Sequence, residues 1–307
     1  MARDSYSAQL ARQRINTLVF LGPACLLLLM FFIAPVLVDI GLAFTDMGRN
    51  LKVTQFTTEN FERMFAGDRR LVSVLGVTFI YVLGTLAIFN VTFALILALT
   101  TTALPDRSGA FFRAVWLLPR MSPSVVYALL WGWAISPTQY GLFNQLWSGV
   151  LGLPPLDILS DAPMLLIIVA NGFIGASMGM IIFTSAIRAI PDHLFHAAKA
   201  DGASGLAIVR HITLPAIRWP LSFITVYQTL SLLVSFEYIW LITDGGPFFD
   251  TTVYALYVYQ RAFDSGQYAY GAALALGLVV IGIAAALLMW RFMDMKSLLQ
   301  RPRIEVQ

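Results

Sequence analysis

Charged residues are scarce in this chain. Only 12% of its 307 residues are Asp, Glu, Lys or Arg, whereas an ordinary soluble domain carries about 25%. Apolar residues make up 58% of the chain, and the mean hydropathy is +0.75. Because so apolar a chain lacks the polar residues that would cover soluble domains, we expect it to be surrounded by lipid. The composition predicts an all-α, polytopic membrane protein with one transmembrane domain, residues 1–307.

Residues that bind metals or phosphate are also few. Cys25 is the only cysteine, which excludes a disulfide within the chain and a cysteine-based metal site. His193 and His196 are three residues apart, but only Asp192 and Asp201 lie near them, so we predict no metal site. No Gly-x-x-x-x-Gly-Lys-Ser/Thr loop occurs, and the chain is not expected to hydrolyse ATP. We therefore predict that it is not an enzyme and has no catalytic residues and no cofactor of its own.

Six apolar stretches are long enough to cross a membrane, since a spanning helix needs about 20 apolar residues. The first stretch is longer than a signal-peptide core and has no clear cleavage site, so we interpret it as a retained span. The stretches cover about 17–44, 72–101, 112–136, 163–187, 220–243 and 271–292.

The distribution of Lys and Arg predicts the orientation. With the N-terminus inside, 13 of these residues lie on the cytoplasmic side and 6 on the outer side, with Arg120 unassigned. Loop 45–71 holds five of the six outer charges, and we expect it to form an amphipathic segment on the outer face. The external loop 137–162 has no Lys or Arg, which favours a structured turn that faces water and contacts an extracellular partner. The net charge of +3 is small and dispersed, so no nucleic-acid partner is predicted.

The segment between the fourth and fifth spans, about 188–219, predicts a short exposed helix. Pro191 suits the first turn of that helix, and Gly202 can end it. Leu214-Pro215 is expected to break the chain before the next span. Such a helix is shaped to fit a groove of another protein. Three small residues keep its surface slim: Ala197, Ala198 and Ala200.

This segment resembles the EAA loop of binding-protein-dependent ABC importer permeases. The resemblance lies in the spacing Ala197-Ala198-x-x-Asp201-Gly202-Ala203, followed by Ile212-Thr213-Leu214-Pro215 and Pro220. In that family the loop is the coupling helix that docks into the ATPase subunit. Two departures are visible, because His196 replaces the usual glutamate and the usual aromatic residue near Val209 is absent. The resemblance assigns ATPase coupling to His196, Ala197, Ala198, Asp201, Gly202, Ala203, Leu214 and Pro215.

Other segments are similar to sugar-type permeases, so that the resemblance covers nearly the whole chain. The chain most resembles the first of the two permeases in maltose- and glycerol-phosphate-type uptake systems. This resemblance implies the type I ABC importer permease fold. It implies a second permease subunit, two identical ATPase subunits that carry ATP and Mg, an extracytoplasmic solute-binding protein, and a place among the lipids of a bacterial inner membrane. The 13 to 6 distribution of Lys and Arg predicts that both termini are cytoplasmic. The matching residues are Phe236-Glu237-x-Ile239-x-x-Ile242-Thr243-x-Gly245-Gly246-Pro247, Leu118-Pro119 with Pro123 and Trp131, and Pro35 with Phe44-Thr45-Asp46.

Polar residues within spans are candidates for the solute pathway, because they are costly in lipid. Asn171 can bind hydroxyl groups, and Gly175 beside it lets a ligand approach the backbone. In the maltose-type family a polar residue about twenty positions before the proline that opens the coupling helix contacts sugar, and Asn171 has this spacing from Pro191. Arg120 either extends to the cytoplasmic headgroups or lines the pathway, in which case an anionic solute such as a glycerol phosphate is favoured.

Aromatic and outer polar residues complete the set of candidates. Tyr127 and Trp131 share a helix face, and they either stack on a sugar ring or pack within the bundle. Lesser candidates are Gln228, Glu237, Tyr238 and Trp240.

The sequence thus predicts a permease subunit that imports a sugar or sugar-like solute, with an ion-coupled secondary transporter as the alternative. That alternative calls for intramembrane carboxylates, and only Asp39 and Glu237 are near spans, both toward the outer ends.

Overall fold

The computed structural model describes residue 17 and residues 19–292. The regular elements of this part of the chain are helices, so the all-α prediction is confirmed. In chain order they are α1 (Val19–Ala43), α2 (59–67), α3 (Arg69–Ala103), α4 (Asp106–Met121), α5 (Ser124–Ala134), α6 (Leu142–Leu151), α7 (Ile158–Asp161), α8 (Pro163–Arg188), α9 (Asp192–Ala200), α10 (205–216), α11 (Arg218–Val234), α12 (Glu237–Thr243), α13 (254–264) and α14 (Tyr268–Phe292).

Four of these helices, α1, α3, α8 and α14, are long and apolar enough to cross a membrane. They correspond to the first, second, fourth and sixth predicted spans. The fifth predicted span, 220–243, is instead a pair of helices, α11 and α12, with a bend of 49° between them. By length and composition, the described residues therefore supply four spans, or five if the bent pair is one span.

The third predicted span, 112–136, differs from the prediction because it is divided into α4 and α5. Ser122 between them is extended, with ψ 141°, since the ring of Pro123 disfavours helical geometry in the residue before it. The first half of the predicted span lies in α4, which also carries Arg113 and Arg120. An apolar run that looked continuous in the sequence is thus two short helices joined at a proline.

The described residues form two compact units, and the first comprises residues 17, 19–68 and 258–277. In it, the Asp46 carboxylate accepts hydrogen bonds from the Thr54 hydroxyl and from the backbone N–H groups of Thr54 and Gln55, at 2.9 and 3.2 Å. These bonds favour the charged carboxylate and lower the pKa of Asp46 below its ordinary value of 3.8. Loop 45–71 is therefore fixed by its own hydrogen bonds where it leaves α1.

Two charged side chains of this loop, Arg63 and Asp68, contact Tyr270 within the first unit. The Arg63 guanidinium lies 4.0 Å from the centre of the Tyr270 ring, a cation–π contact. The Tyr270 hydroxyl donates to the Asp68 carboxylate at 2.6 Å.

The second unit comprises the described residues 69–257 and 278–292, and α8 is more buried than the other three helices of spanning length. Glycines on α8 let α3 approach closely. A Cβ added at Gly175 would lie 2.1 Å from Asn90 Oδ1, and one at Gly179 would lie 2.7 Å from both Ala94 Cβ and the Asn90 carbonyl oxygen. The facing part of α3, Thr85–Phe93, is wound as a π-helix, a widened form that is common at functional sites.

The contact between α8 and α3 gives a test. Gly179→Ala should destabilise the chain by roughly 1–3 kcal/mol, because the added methyl group overpacks against a backbone oxygen. Gly282→Ala on α14 is the matched control, since a Cβ there meets nothing within 4 Å. Thermal unfolding of the purified variants in detergent measures the difference. Equal melting temperatures for the two variants would contradict this close packing.

Candidate functional site

The turn after α9 has the geometry of a Schellman motif, in which two crossed backbone hydrogen bonds close the end of a helix. The Ala203 N–H donates to the Ala198 carbonyl at 2.9 Å, and the Gly202 N–H donates to the Lys199 carbonyl at 3.1 Å. Gly202 is left-handed, with φ +77°, a conformation that glycine adopts without steric cost. The spacing Ala197-Ala198-x-x-Asp201-Gly202-Ala203 therefore encodes a specific helix end.

A second helix starts directly after this turn. The Ser204 hydroxyl caps α10 by accepting a hydrogen bond from the Ala207 N–H at 3.3 Å. The structure corrects two details of the prediction. Pro191 precedes α9 as its cap residue instead of lying in the first turn, and the helical path continues through Pro215 and breaks at Ile217. Proline fits at 215 because it follows the π-helical turn Val209–Thr213 and starts a new short helix.

The predicted coupling residues lie on an accessible surface. No residue of α9 is buried. The Ala198, Ala203 and Leu214 side chains are half-buried, and the exposed members of the set are His196, Ala197, Asp201, Gly202 and Pro215. The surface combines small residues with polar ones, because His193, His196 and Lys199 are exposed beside Ala197 and Ala200.

Asn171 lies inside the helix bundle, where its amide joins three helical segments. Its Nδ2 donates to the Tyr81 hydroxyl on α3 at 2.6 Å and to the Ser235 hydroxyl at 3.2 Å. Ser235 is the residue at which α11 gives way to α12. Asn171 is buried, and its amide nitrogen is used within the chain. The arrangement fixes the break in the fifth predicted span against α3 and α8.

A second hydrogen bond between helices lies one helical turn further along α8, at Gly175. The Gln228 amide on α11 donates to the Gly175 carbonyl at 3.0 Å, and both residues are buried. Asn90 on α3 faces Gly175 and is fully buried, and neither amide atom of Asn90 has a hydrogen-bond partner among the described residues. Gly175 and Gln228 are thus brought together as a contact between helices.

The charged candidates lie where α4, α5 and α12 meet. The Ser124 hydroxyl, in the first turn of α5, donates to the Glu237 carboxylate at 2.5 Å. The Arg120 guanidinium and the Glu237 carboxylate both interact electrostatically with Tyr238. Arg120 and Glu237 are exposed, and Tyr238 is half-buried. The structure therefore brings these candidates to one accessible surface at the two helix breaks.

Aromatic candidates adjoin this surface. The Tyr127 ring lies 5.7 Å from the Tyr238 ring and 6.2 Å from the Trp131 ring, edge to face in both pairs. The Tyr127 hydroxyl donates to the Ala170 carbonyl on α8 at 2.7 Å, so this ring is anchored in the bundle. Trp240, on α12, is 39% exposed. An open cleft of about 690 Å³ begins at Tyr127 and Trp131, and its other aromatic lining residues are Trp116, Trp133, Phe143 and Phe173.

Such a surface combines flat aromatic faces with hydroxyl, carboxylate and guanidinium groups, a combination that can bind a polyhydroxylated solute. Among the described residues, no group of three His, Cys, Asp or Glu side chains could hold a metal ion.

Comparison with protein-family models decides the family. The model for the inner membrane component of binding-protein-dependent transport systems matches residues 90–293, from the middle of α3 to the end of α14. The chain belongs to this family. It is therefore a multi-pass, inner-membrane subunit of a transporter, and the permease resemblance found in the sequence is confirmed.

Curated relatives align with nearly the whole permease. A probable ABC transporter permease of Pyrococcus horikoshii is 31% identical over 285 residues, which cover 90% of this chain and 95% of the relative. The galactooligosaccharides transport system permease protein GanP of Bacillus subtilis is 29% identical and covers 90% of this chain, which spans 69% of GanP.

A solved structure has the same fold as this permease. It is the crystal structure of a bacterial ABC transporter involved in the import of the acidic polysaccharide alginate. The match has a TM-score of 0.79 at 22% identity and covers 95% of this chain and all of that chain. The type I importer permease fold expected from the sequence is confirmed.

The sequence reasoning missed several residues of these clusters. Tyr81, Ser124, Ser235 and Asn90 were not among the candidates, although Asn90 is a lone amide in an apolar run and Ser124 follows a proline. These signals were visible in the sequence. Tyr81 and Ser235 are 154 positions apart, so the local sequence around either residue does not predict the hydrogen bond between them.

The Asn171 cluster gives a testable prediction for the stability of the permease. Asn171→Ala should destabilise it by about 1–3 kcal/mol, because the buried Tyr81 hydroxyl loses a hydrogen-bond partner. Combining this change with Tyr81→Phe should cost less than the sum of the two single changes, a double-mutant cycle read by thermal unfolding.

Thr184→Val on the same helix is the control. Its hydroxyl is buried and has no hydrogen-bond partner among the described residues, so its loss should leave stability unchanged or raise it. Additive effects of the Asn171 and Tyr81 changes would show that the amide contributes nothing through Tyr81.

Proposed function

We propose that this permease is one of two membrane subunits of an ATP-driven importer for a sugar or sugar-like solute. It pairs with a second permease, two identical ATPase subunits bind ATP and Mg, and an extracytoplasmic binding protein delivers the solute. Both termini are cytoplasmic, which the Lys and Arg distribution supports. The family assignment supports this proposal over an ion-coupled secondary transporter, because the family is binding-protein-dependent.

The geometry of α9 is the observation that carries the coupling part of the proposal. A short helix with no buried residue, closed by an exposed glycine turn, has the form of a ligand for another protein's groove. α9 is linked through α10 to α11, which carries Gln228 and ends at Val234, directly before Ser235. A rigid-body movement of α9 with the ATPase subunits would therefore reach the helix break beside the candidate solute surface.

Gly202 provides the test of docking. Gly202→Val should reduce solute uptake to near background, because a β-branched residue at φ +77° is strained by roughly 1–3 kcal/mol and distorts the turn. Uptake by the complete transporter in proteoliposomes is the measurement, and co-purification of the ATPase subunits is the second readout.

Gly205→Val is the matched control for this experiment. Gly205 is three residues away and exposed, an added Cβ there also meets nothing within 4 Å, and its φ is not positive. Membrane insertion of both variants should match that of the original chain. Normal uptake by the Gly202 variant would refute docking through this turn.

The surface at the two helix breaks supports a neutral saccharide as the cargo. Arg120 and Glu237 contribute opposite charges beside the same tyrosine, so neither sign dominates. The partly exposed rings on this side are Tyr238 and Trp240, which are of the kind that stack on sugars, whereas Tyr127 is buried and Trp131 packs on Phe143. Relatives of similar length are named for sugars, among them a lactose transport system permease of Rhizobium radiobacter, which is 29% identical.

A cargo assay tests this assignment. ATPase activity of the reconstituted complex should be stimulated by neutral oligosaccharides presented on its binding protein, and less by glycerol phosphates or sulfonated sugars. Arg120→Gln and Glu237→Gln, a matched pair on one surface, should each reduce this stimulation only partly.

Two other outcomes would contradict the assignment. Stimulation by the anionic solutes alone, abolished by Arg120→Gln but retained in Glu237→Gln, would make Arg120 the cation of an anion pathway. If the chain co-purified with no ATPase subunit, the importer itself would be refuted.

A further inference from the structure

Helix α6 has an apolar stripe that is largely exposed in the described part of the chain, although its Phe143 packs on Trp131. At about 100° per residue, five of its residues fall on one face, four polar or small residues take the other, and Leu151 lies at the border between them. The Val150 side chain is 73% exposed and the Leu146 side chain is 57% exposed. The stripe consists of Leu142, Phe143, Leu146, Trp147 and Val150, and the opposite face consists of Asn144, Gln145, Ser148 and Gly149.

The helix is fixed in place by its polar face. Asn144 is the one buried residue of α6, and its amide nitrogen donates to the carbonyl groups of Ser136 and Leu156, at 3.0 and 2.9 Å. Its Oδ1 accepts a hydrogen bond from the Leu156 N–H at 2.8 Å. These three bonds hold α6 against the chain segments before and after it, at Ser136 and Leu156. The fold therefore sets the orientation of the stripe.

The position of α6 along the chain places it at a membrane surface. It lies between α5 and α8, on the opposite side of the membrane from the segment 189–217, because α8 crosses between the two. Phe143 stacks on Trp131 of α5, with ring centres 6.3 Å apart and planes within 23°. The stripe is therefore continuous with α5, whose Trp133 is 52% exposed.

We propose that α6 lies in the outer headgroup region of the bilayer, with its apolar stripe inserted among the lipids. Tryptophan and tyrosine are enriched at this depth, and Trp147 and Tyr140 provide them. Residues 137–162 contain no Lys or Arg, so attraction to anionic lipids contributes nothing and burial of apolar area drives the contact. The lipid-bound helix positions the outer end of α5 through Phe143 and Trp131. Loop 137–162 thus faces lipid on one side, in addition to the water expected from its sequence.

Spin labels on the complete transporter in nanodiscs test this placement. In a Cys25→Ser background, single cysteines at Leu146, Val150 and Gln145 are labelled, and each variant is first shown to retain ATPase activity. Labels at 146 and 150 should collide more often with oxygen, which partitions into lipid, than with a water-soluble nickel chelate. The label at 145, on the polar face, should show the reverse.

Any other order of the oxygen and chelate collision rates at these three labels would overturn the proposal. Greater access of the chelate at 150 would show that the stripe faces water, and shielding from both reagents would show that a protein subunit covers it. Replacing zwitterionic by anionic lipids should leave the collision ratio unchanged. A stripe that inserts only with anionic lipids would refute the apolar mechanism.

Discussion

The close approach of α3 to α8 is the contact on which the interior of the larger unit depends. Without a hydrophobic driving force between helices in lipid, association relies on tight packing and on hydrogen bonds between helices. Gly175 and Gly179 permit the approach, and the widened winding of Thr85–Phe93 accommodates it. Once α3 and α8 are fixed, Tyr81 and Asn171 meet at hydrogen-bonding distance, and Ser235 of the fifth span completes the cluster.

Interruptions of helices, rather than complete spans, shape the candidate solute surface. The break at Ser122-Pro123 and the break at Ser235 bring the first turns of α5 and α12 together, where Ser124 bonds Glu237. Polar backbone at such breaks is tolerated in a membrane only where it is buried in protein or lines a cavity. The two breaks therefore concentrate the polar chemistry of the permease at one place, beside the aromatic residues that border the cleft.

The sequence predicted the long spans well because their signal is a sum over some twenty residues. The fourth predicted span, 163–187, matches α8 to within one residue. The division of 112–136 was missed, although Pro123 was visible, because hydropathy averaging does not register a single break. Asn171 and Gln228 could be recognised from the sequence as polar residues within spans, and their contact with solute stays a prediction. Their hydrogen-bond partners could not be predicted, since those partners depend on contacts between distant segments. Local rules sufficed for the Gly202 turn because its bonds join residues no more than five positions apart.

The closure of α9 by main-chain bonds has a consequence for the evolution of such transporters. The shape of the turn is set by Gly202 and by backbone groups, so the exposed side chains around it are free to change without refolding the loop. His196 illustrates this freedom, since it occupies the position at which the sequence resemblance leads us to expect a glutamate, and yet the helix is regular. In the proposed docking of α9 on an ATPase subunit, recognition between the two subunits can then diverge by a few surface substitutions. Paralogous transporters in one cell can thereby keep their subunits from mixing while they use the same helix-and-turn geometry for coupling.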